Sequence, residues 1–154
     1  MSGPGVDIVG DITNSATIDI LAGSSFKSIF CMNLLEHVEE PLVIVEAMQQ
    51  LLKPGGLAFV SVPYRFPYHP DPIDTLFRPD PSELSHLFKS FSIIQASIVP
   101  CGTLCGQLFD LVHYRPMSAF QVLFKRMKER ATTSFPMKIW LRPLFETCVV
   151  LRKA

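Results

Sequence analysis

Three groups of residues carry side chains that could do chemistry. The first is Glu36 and His37 in "CMNLLEHVEE", residues 31–40, an acid beside an imidazole directly after an apolar run. Such a pair can orient a substrate, hold a cation or move a proton, because an imidazole exchanges protons near neutral pH. Adjacent residues do not share a helix face, so the two need not act as a dyad. An acid placed to complement the dipole of the next helix is the plainer alternative. The second group is Asp11 at the end of "VDIVGD", which could accept from an amine or simply cap a turn. The third is the stretch 63–81, where six prolines alternate with Tyr64, Arg65, Tyr68, His69, Asp71, Asp74 and Arg78. Proline restricts the backbone, so such a loop can hold side chains in fixed positions over neighbouring strands. The alternative is a surface crossover that touches no ligand. His86 and His113 lack a partner acid at ligand spacing and read as helix-face or core residues. Cys31, Cys101, Cys105 and Cys148 form neither a CxxC pair nor a Cys/His cluster at zinc spacing, and read as reduced, buried thiols.

These groups need elements to position them. Residues 6–12 form a β-branched run that predicts a buried strand ending at a Gly and an acid, and residues 13–25 read as loop. Residues 26–32 predict a second strand, followed by a polar connection over 33–40. A helix then starts at Pro41, which suits a first turn, with Leu42, Val45, Met48 and Leu52 as its apolar stripe. Lys53 lies in the last turn, and Pro54, Gly55 and Gly56 stop the helix. Residues 57–62 are apolar without alternation, as in a strand covered on both faces. Strand, helix and strand make a βαβ unit, whose right-handed crossover sets the strands parallel with both C-terminal ends at one edge. Asp80, Pro81 and Glu83 predict an N-cap, a first-turn proline and a capping-box acid for a helix through about residue 89. Residues 92–99 and 145–153 predict further strands. Ligands of open α/β sheets bind beyond the carboxyl ends of the strands, where residues 10–13, 33–37 and 63–74 are aimed.

The chain has 154 residues, 48% of them hydrophobic, which suffices for one core but not two. No run of about 18 apolar residues could span a bilayer, and the start MSGPG carries no leader pattern, so a cytoplasmic location is expected. The net charge of zero hides an asymmetry: residues 1–112 carry 5 Lys and Arg against 12 Asp and Glu, whereas residues 113–154 carry 9 against 2. The basic part includes "SAFQVLFKRMKER", an amphipathic helix pattern. Its Lys125, Arg126, Lys128 and Arg130 could rest on an anionic membrane surface or simply be the solvated side of a packed helix. Nucleic acid is not an expected partner, since the positive charge lacks a binding motif.

The stretch "GDI…SSFKSIFCMNLLEHVEEPLVIVEAMQQLLKPGGLAFVSVPY" resembles the second half of a class I S-adenosylmethionine-dependent methyltransferase of the type 11 kind. The likeness runs through the GD step, Ser25-Phe26-Lys27, the strand leading to LEHV, a helix with an inward Glu46, LKPGG and a strand ending in VP. Residues 68–78 resemble the substrate-side loop of methyltransferases from glycan and natural-product pathways. The resemblance implies an α/β fold with a truncated Rossmann-like sheet, mostly parallel with an antiparallel closing strand. It implies a single domain: a partial cofactor-side core over 1–99, a helical lid or substrate-side insertion over 100–144, and the closing strand over 145–154. It implies S-adenosylmethionine as cofactor, with Asp11 and Ile12 by the adenine and Asn33 and Leu34 by the methionine part and methyl. Glu36 and His37 are then the catalytic candidates, and Tyr64, Arg65 and His69 the substrate-side ones. The implied acceptor is a small molecule or glycan. Catalysis would come mainly from alignment, with His37 as base only where the acceptor must lose a proton.

Three features depart from the family. Its glycine-rich GxGxG loop, first strand and helix, and second strand with a ribose-binding acid are not among these residues. The strand 26–32 then needs a neighbour from residues 6–10, another chain or another segment, so a homodimer or partner chain at an exposed edge is a further expectation. Lys27 stands where the family has Asp. Some relatives hold a divalent cation with ExxEH, but Asn33 takes the first acid position, so no metal is expected. Two functions follow: a methyltransferase-like enzyme, or a non-catalytic remnant or split-enzyme fragment that dimerises or binds a partner.

Overall fold

The computed structural model describes residues 3–69, 73–103 and 142–154. Its elements are α1 (Ser15–Ala22), β1 (Phe26–Met32), a 3₁₀ turn (Leu35–His37), α2 (Pro41–Leu51), β2 (Leu52–Arg65), α3 (Pro81–His86), β3 (Phe91–Thr103) and β4 (Pro143–Lys153). The four strands form one sheet in the order β1-β2-β4-β3. β1 and β2 are parallel, while β4 lies between β2 and β3 and runs antiparallel to both. Three strands therefore share a direction and the closing strand opposes them, the mixed sheet that the resemblance implies.

Helix α2 starts with Pro41 in its first turn and buries Ile44, Val45, Ala47, Met48 and Leu51. The buried stripe is rotated from the predicted one: Leu42 is 53% exposed and Glu46 points outward, because Ile44 and Leu51 share the buried face with Val45 and Met48. Its C-terminal carbonyls are capped by the closing strand, where Lys153 Nζ donates to Gln49 O at 2.5 Å and Leu52 O at 2.6 Å. The Pro54-Gly55-Gly56 segment belongs to β2 rather than to the helix cap, which is Leu52 in extended conformation. Between Phe26↔Leu52 and Ser28↔Leu57 the register slips, so two steps on β1 face five on β2. Gly55 at φ 75° lets the chain make this bulge. The core joins α2, the sheet and α3 through residues such as Leu52, Ala58, Val60, Leu84, Phe88 and Leu151. The capping box of α3 is complete, with Asp80 and Glu83 exchanging hydrogen bonds at 2.8 Å, and the helix ends at His86, earlier than predicted, so that Phe88 can turn into the core.

Residues 6–12 do not form the predicted strand. Val6, Ile8 and Val9 are 45–60% exposed, and no strand among the described residues pairs with the outer edge of β1. A lone extended segment cannot satisfy its backbone in a ladder, whatever its β propensity. Part of the predicted 13–25 loop is α1 instead, started by Asn14, whose side chain accepts from Ala16 N–H at 2.9 Å. Cys31 is buried as expected, and its thiol is pushed up to about 11 by burial and by the charge of Glu36, whereas Cys101 and Cys148 are only half-buried. The proposed lid residues 104–141, with the four basic residues of the membrane-facing pattern, Cys105 and His113, lie outside the described residues, as does Asp71. Residues 100–103 continue β3 and residues 143–144 begin β4. No helix among the described residues is long and apolar enough to cross a membrane.

A Cβ at Gly56 would sit 2.9 Å from Lys53 O and 3.2 Å from Lys27 O, both backbone atoms, whereas one at Gly23 would meet nothing. Gly56→Ala is therefore expected to lower unfolding stability by about 1–3 kcal/mol, and Gly23→Ala to change it by no more than about 0.5 kcal/mol, as read from urea unfolding curves.

Candidate functional site

The parallel pair β1–β2 brings residues 33–37, 66–69 and 73–80 to one edge of the sheet. β1 leaves the sheet at Asn33, whose φ of 50° lies in the left-handed region that Asn enters more readily than most residues. Asn33 N–H donates to Ser61 O at 2.9 Å, its Oδ1 accepts from Ser61 Oγ at 3.3 Å, and its Nδ2 donates to Glu146 Oε1 at 3.2 Å. The turn is thus stitched to β2 and β4. Leu35, fully buried, anchors the 3₁₀ turn in the core, and the carboxylate of Glu36 is carried inward with it.

The loop is organised by Asp74. Its enclosed carboxylate accepts from His69 N–H at 3.0 Å, Leu76 N–H at 2.9 Å and Arg78 Nη2 at 2.7 Å. Burial alone would raise its pKa, but the Arg78 guanidinium and the two backbone donors hold it at about 2. The bond to Leu76 supports a leucine at φ 59°, a conformation that costs of order 1–2 kcal/mol for a branched residue. Thr75 then donates twice to Glu36 O, from N–H at 2.9 Å and from Oγ1 at 3.0 Å. His37 Nδ1 pairs with Ile73 O. At the far end Thr147 Oγ1 donates to Pro79 O at 2.7 Å. The proline-rich stretch is therefore clasped to the turn at one end and to β4 at the other.

Beneath this clasp lies Glu36. Its side chain is 0% exposed, and neither carboxylate oxygen has a hydrogen-bond partner among the described residues. Burial pushes its pKa up, and the nearness of its own backbone N–H, of the two imidazoles and of the Arg78 guanidinium offsets part of that. His37 Nε2 lies 3.7 Å from Glu36 Oε1. A carbonyl can only accept, so the contact with Ile73 places the proton of a neutral His37 on Nδ1 and leaves Nε2 with its lone pair. His69 is set in the same way, its Nδ1 lying 3.0 Å from Pro67 O and 3.2 Å from Asp74 Oδ2, both acceptors. The two rings meet edge to face at 5.2 Å, and Phe66 packs on His69 at 4.9 Å. One ligand atom from each of Glu36, His37 and His69 falls within 4.8 Å of the others. A lone-pair nitrogen beside a buried carboxylate can take a proton from a hydroxyl, and the trio has the donor types of a cation site.

The other sequence candidates are placed differently. Asp11 is exposed, and its Oδ1 accepts from Thr13 N–H at 2.9 Å and Thr13 Oγ1 at 2.8 Å, which is the turn-capping use. Those bonds lower its pKa. Ile12 packs on the core, and Leu34 is 40% exposed at the end of β1. Arg65 places its guanidinium 5.8 Å from both the Tyr64 and the Phe145 ring. The structure thus brings Glu36, His37 and His69 together, whereas the recorded contacts of Asp11, Tyr64 and Arg65 are to other groups. Asp74 and Arg78 are the supporting residues that pattern alone did not single out from the rest of the loop. Their i,i+4 spacing, Asp before Arg, was the available signal.

A family model described as a methyltransferase domain matches residues 5–114. A ubiquinone biosynthesis O-methyltransferase of Xanthomonas campestris pv. campestris is 51% identical over 43 residues, 28% of this chain and 18% of that protein. One of Xylella fastidiosa is 49% identical over 53 residues, 33% of this chain and 22% of that protein. The matched region therefore spans only about a fifth of these curated relatives. Among solved structures, a Galdieria sulphuraria protein described as a sarcosine dimethylglycine methyltransferase aligns with a TM-score of 0.52 at 15% identity, covering 84% of this chain and 54% of that one. That likeness concerns the fold.

Asp74→Asn removes the charge that holds Arg78 and two loop amides, and is expected to destabilise the protein by about 2–3 kcal/mol. Because the folded pKa of Asp74, about 2, is below its ordinary 3.8, its contribution is present above pH 3.8 and lost as pH falls toward 2. Denaturant unfolding across that range should show an acid limb that is shallower in the variant.

Proposed function

The chain belongs to the methyltransferase-domain family, the class I S-adenosylmethionine-dependent kind, and from that premise we propose that it forms the acceptor-facing part of an enzyme that methylates a hydroxyl of a small-molecule or glycan-type acceptor. The observation that carries this reading is the His37 imidazole, held by Ile73 O so that Nε2 keeps its lone pair beside the buried Glu36 carboxylate. A hydroxyl must lose a proton when it is methylated, and these residues supply a group to receive it at the end of β1. The O-methyltransferase names of the two partial relatives point the same way.

S-adenosylmethionine, when bound, supplies a methyl group on a sulfonium that needs no further activation, so the protein's part is alignment and proton handling. The residues fit this cofactor in part. By the resemblance Asp11 and Ile12 would meet the adenine; the Asp11 carboxylate is exposed, and Leu34 offers an open apolar surface. The Asn33 side chain is committed to Ser61 and Glu146 and its N–H to Ser61 O, so Asn33 would serve by shaping the turn. On the acceptor side, Tyr64 and Arg65 form a cation-on-aromatic shelf with Phe145, and His69 stands beside His37.

A second reading, a non-catalytic module that dimerises or binds a partner chain, is favoured by β1. This strand is hydrogen-bonded only to β2 among the described residues, and it exposes Phe30 and Met32 at 67% and 53%. Calorimetric titration with S-adenosylhomocysteine separates the two. The enzyme reading expects saturable binding, with Asp11→Ala raising Kd about tenfold and Glu36→Gln leaving it unchanged. Absence of heat from folded protein, together with a dimer in sedimentation, would support the second reading instead. Methyl transfer from labelled cofactor to catechol, a plain hydroxyl acceptor, should fall about 10²- to 10⁴-fold in His37→Gln.

A further inference from the structure

We propose that the acceptor is a hydroxy acid and that Arg65 takes its carboxylate. The inference rests on the acceptor-side reading above and deepens it: that reading supplies a base for the hydroxyl, and Arg65 supplies a second, anion-reading point at the same edge of the sheet. Arg65 is the last residue of β2, and its link to the base is short. Phe66, the next residue, packs on His69 at 4.9 Å, and His69 meets His37 edge to face at 5.2 Å.

Three observations converge. The first is position. The Arg65 backbone is fixed in the ladder opposite Phe145 of β4, and its guanidinium stands 5.8 Å from the centres of both the Tyr64 and the Phe145 rings. A cation is attracted to an aromatic face at that range, so the rings restrict where this long side chain rests. Less rotamer freedom is then lost when it binds. The second is charge. Among the described residues no carboxylate lies within ion-pair distance of Arg65. The acids of this edge are engaged elsewhere: Asp74 holds Arg78 at 2.7 Å, Glu146 accepts from Asn33, and Glu36 is buried. Arg78 is thus neutralised, while the exposed Arg65 keeps its charge and its fork of N–H donors. The third is shape. That fork matches a planar carboxylate through two parallel hydrogen bonds, whereas a neutral acceptor would leave it to water and an amine would be repelled. Aromatic hydroxy acids and uronic acids of glycans share this chemistry.

The test is equilibrium binding, followed by calorimetry, of two matched pairs: 3-hydroxybenzoate against its neutral amide 3-hydroxybenzamide, and glucuronate against glucose. The acid of at least one pair should bind about tenfold or more tighter than its neutral partner. Preference within the first pair marks an aromatic acceptor, and within the second a glycan. Arg65→Gln should abolish the preference, and Arg65→Lys should keep only part of it, because an ammonium lacks the fork. Lys89→Gln, at an exposed position, should leave it intact. Far-UV circular dichroism checks that the variants are folded. In turnover with labelled S-adenosylmethionine, Arg65→Gln should raise KM for the acid about tenfold with kcat unchanged, since the carboxylate is not where the bond forms. The proposal is overturned if folded wild-type chain prefers neither acid, or if the preference survives Arg65→Gln. S-adenosylhomocysteine binding without an acid preference would sink the hydroxy-acid inference alone. An Arg65-dependent acid preference without S-adenosylhomocysteine binding would sink the methyltransferase reading alone.

Discussion

A wholly buried carboxylate with no hydrogen-bond partner among the described residues is the constraint around which this structure is arranged. An ionised acid removed from water costs several kcal/mol unless something compensates it, so Glu36 must take up a proton, keep a positive neighbour or hold a cation. Everything near it bears on that choice. Leu35 sits in the core and drags the acid inward, while Thr75 seals the Glu36 carbonyl from above. His37, His69 and Arg78 gather at its side. A residue placed at such expense for packing alone would be replaced at no loss by a hydrophobic one; buried strain of this kind concentrates at functional sites.

The fold makes the arrangement possible through its closing strand. Strand β4 enters the sheet between β2 and β3, and from there Thr147 holds the end of the loop while Lys153 caps α2. The closing strand therefore supports both the helix behind the site and the loop over it. Asp74 gives that loop internal order, and the loop in turn gives His37 and His69 their proton positions. Sequence, loop geometry and imidazole chemistry are links of one chain. Among the described residues no strand pairs with the outer edge of β1, and the 6–12 run is exposed.

Much of this was legible in the residues, for local reasons. Asp80, Pro81 and Glu83 specify a helix start through their own backbone hydrogen bonds, and Pro41 does the same for α2. The parallel pair followed from strand-helix-strand order. What could not be read depends on partners far away in sequence. The 6–12 run has strand composition but pairs with no strand among the described residues, and the Asn14 cap that starts α1 is one of several turn residues in its stretch. The α2 stripe was misplaced by the pull of Leu42 and Glu46, since periodicity alone does not fix which of two adjacent faces meets the sheet. At the site, Glu36 and His37 stood out by type. Their meeting with His69 rests on contacts between residues 36 to 39 apart in sequence, across α2, β2 and the loop that follows, which no periodicity encodes.

The central claim is that the loop fixes both imidazoles with Nδ1 protonated and turns His37 Nε2 to the buried acid. Long-range ¹H–¹⁵N correlation NMR of the ion-free chain at neutral pH reads the tautomer of each histidine directly. The account predicts that His37 and His69 both show the Nδ1–H tautomer, and that Thr75→Val, which releases one of the two Thr75 bonds to Glu36 O, blurs His37 toward a mixture. An Nε2–H tautomer for His37 in the intact chain would contradict it, because that nitrogen could then not accept a proton.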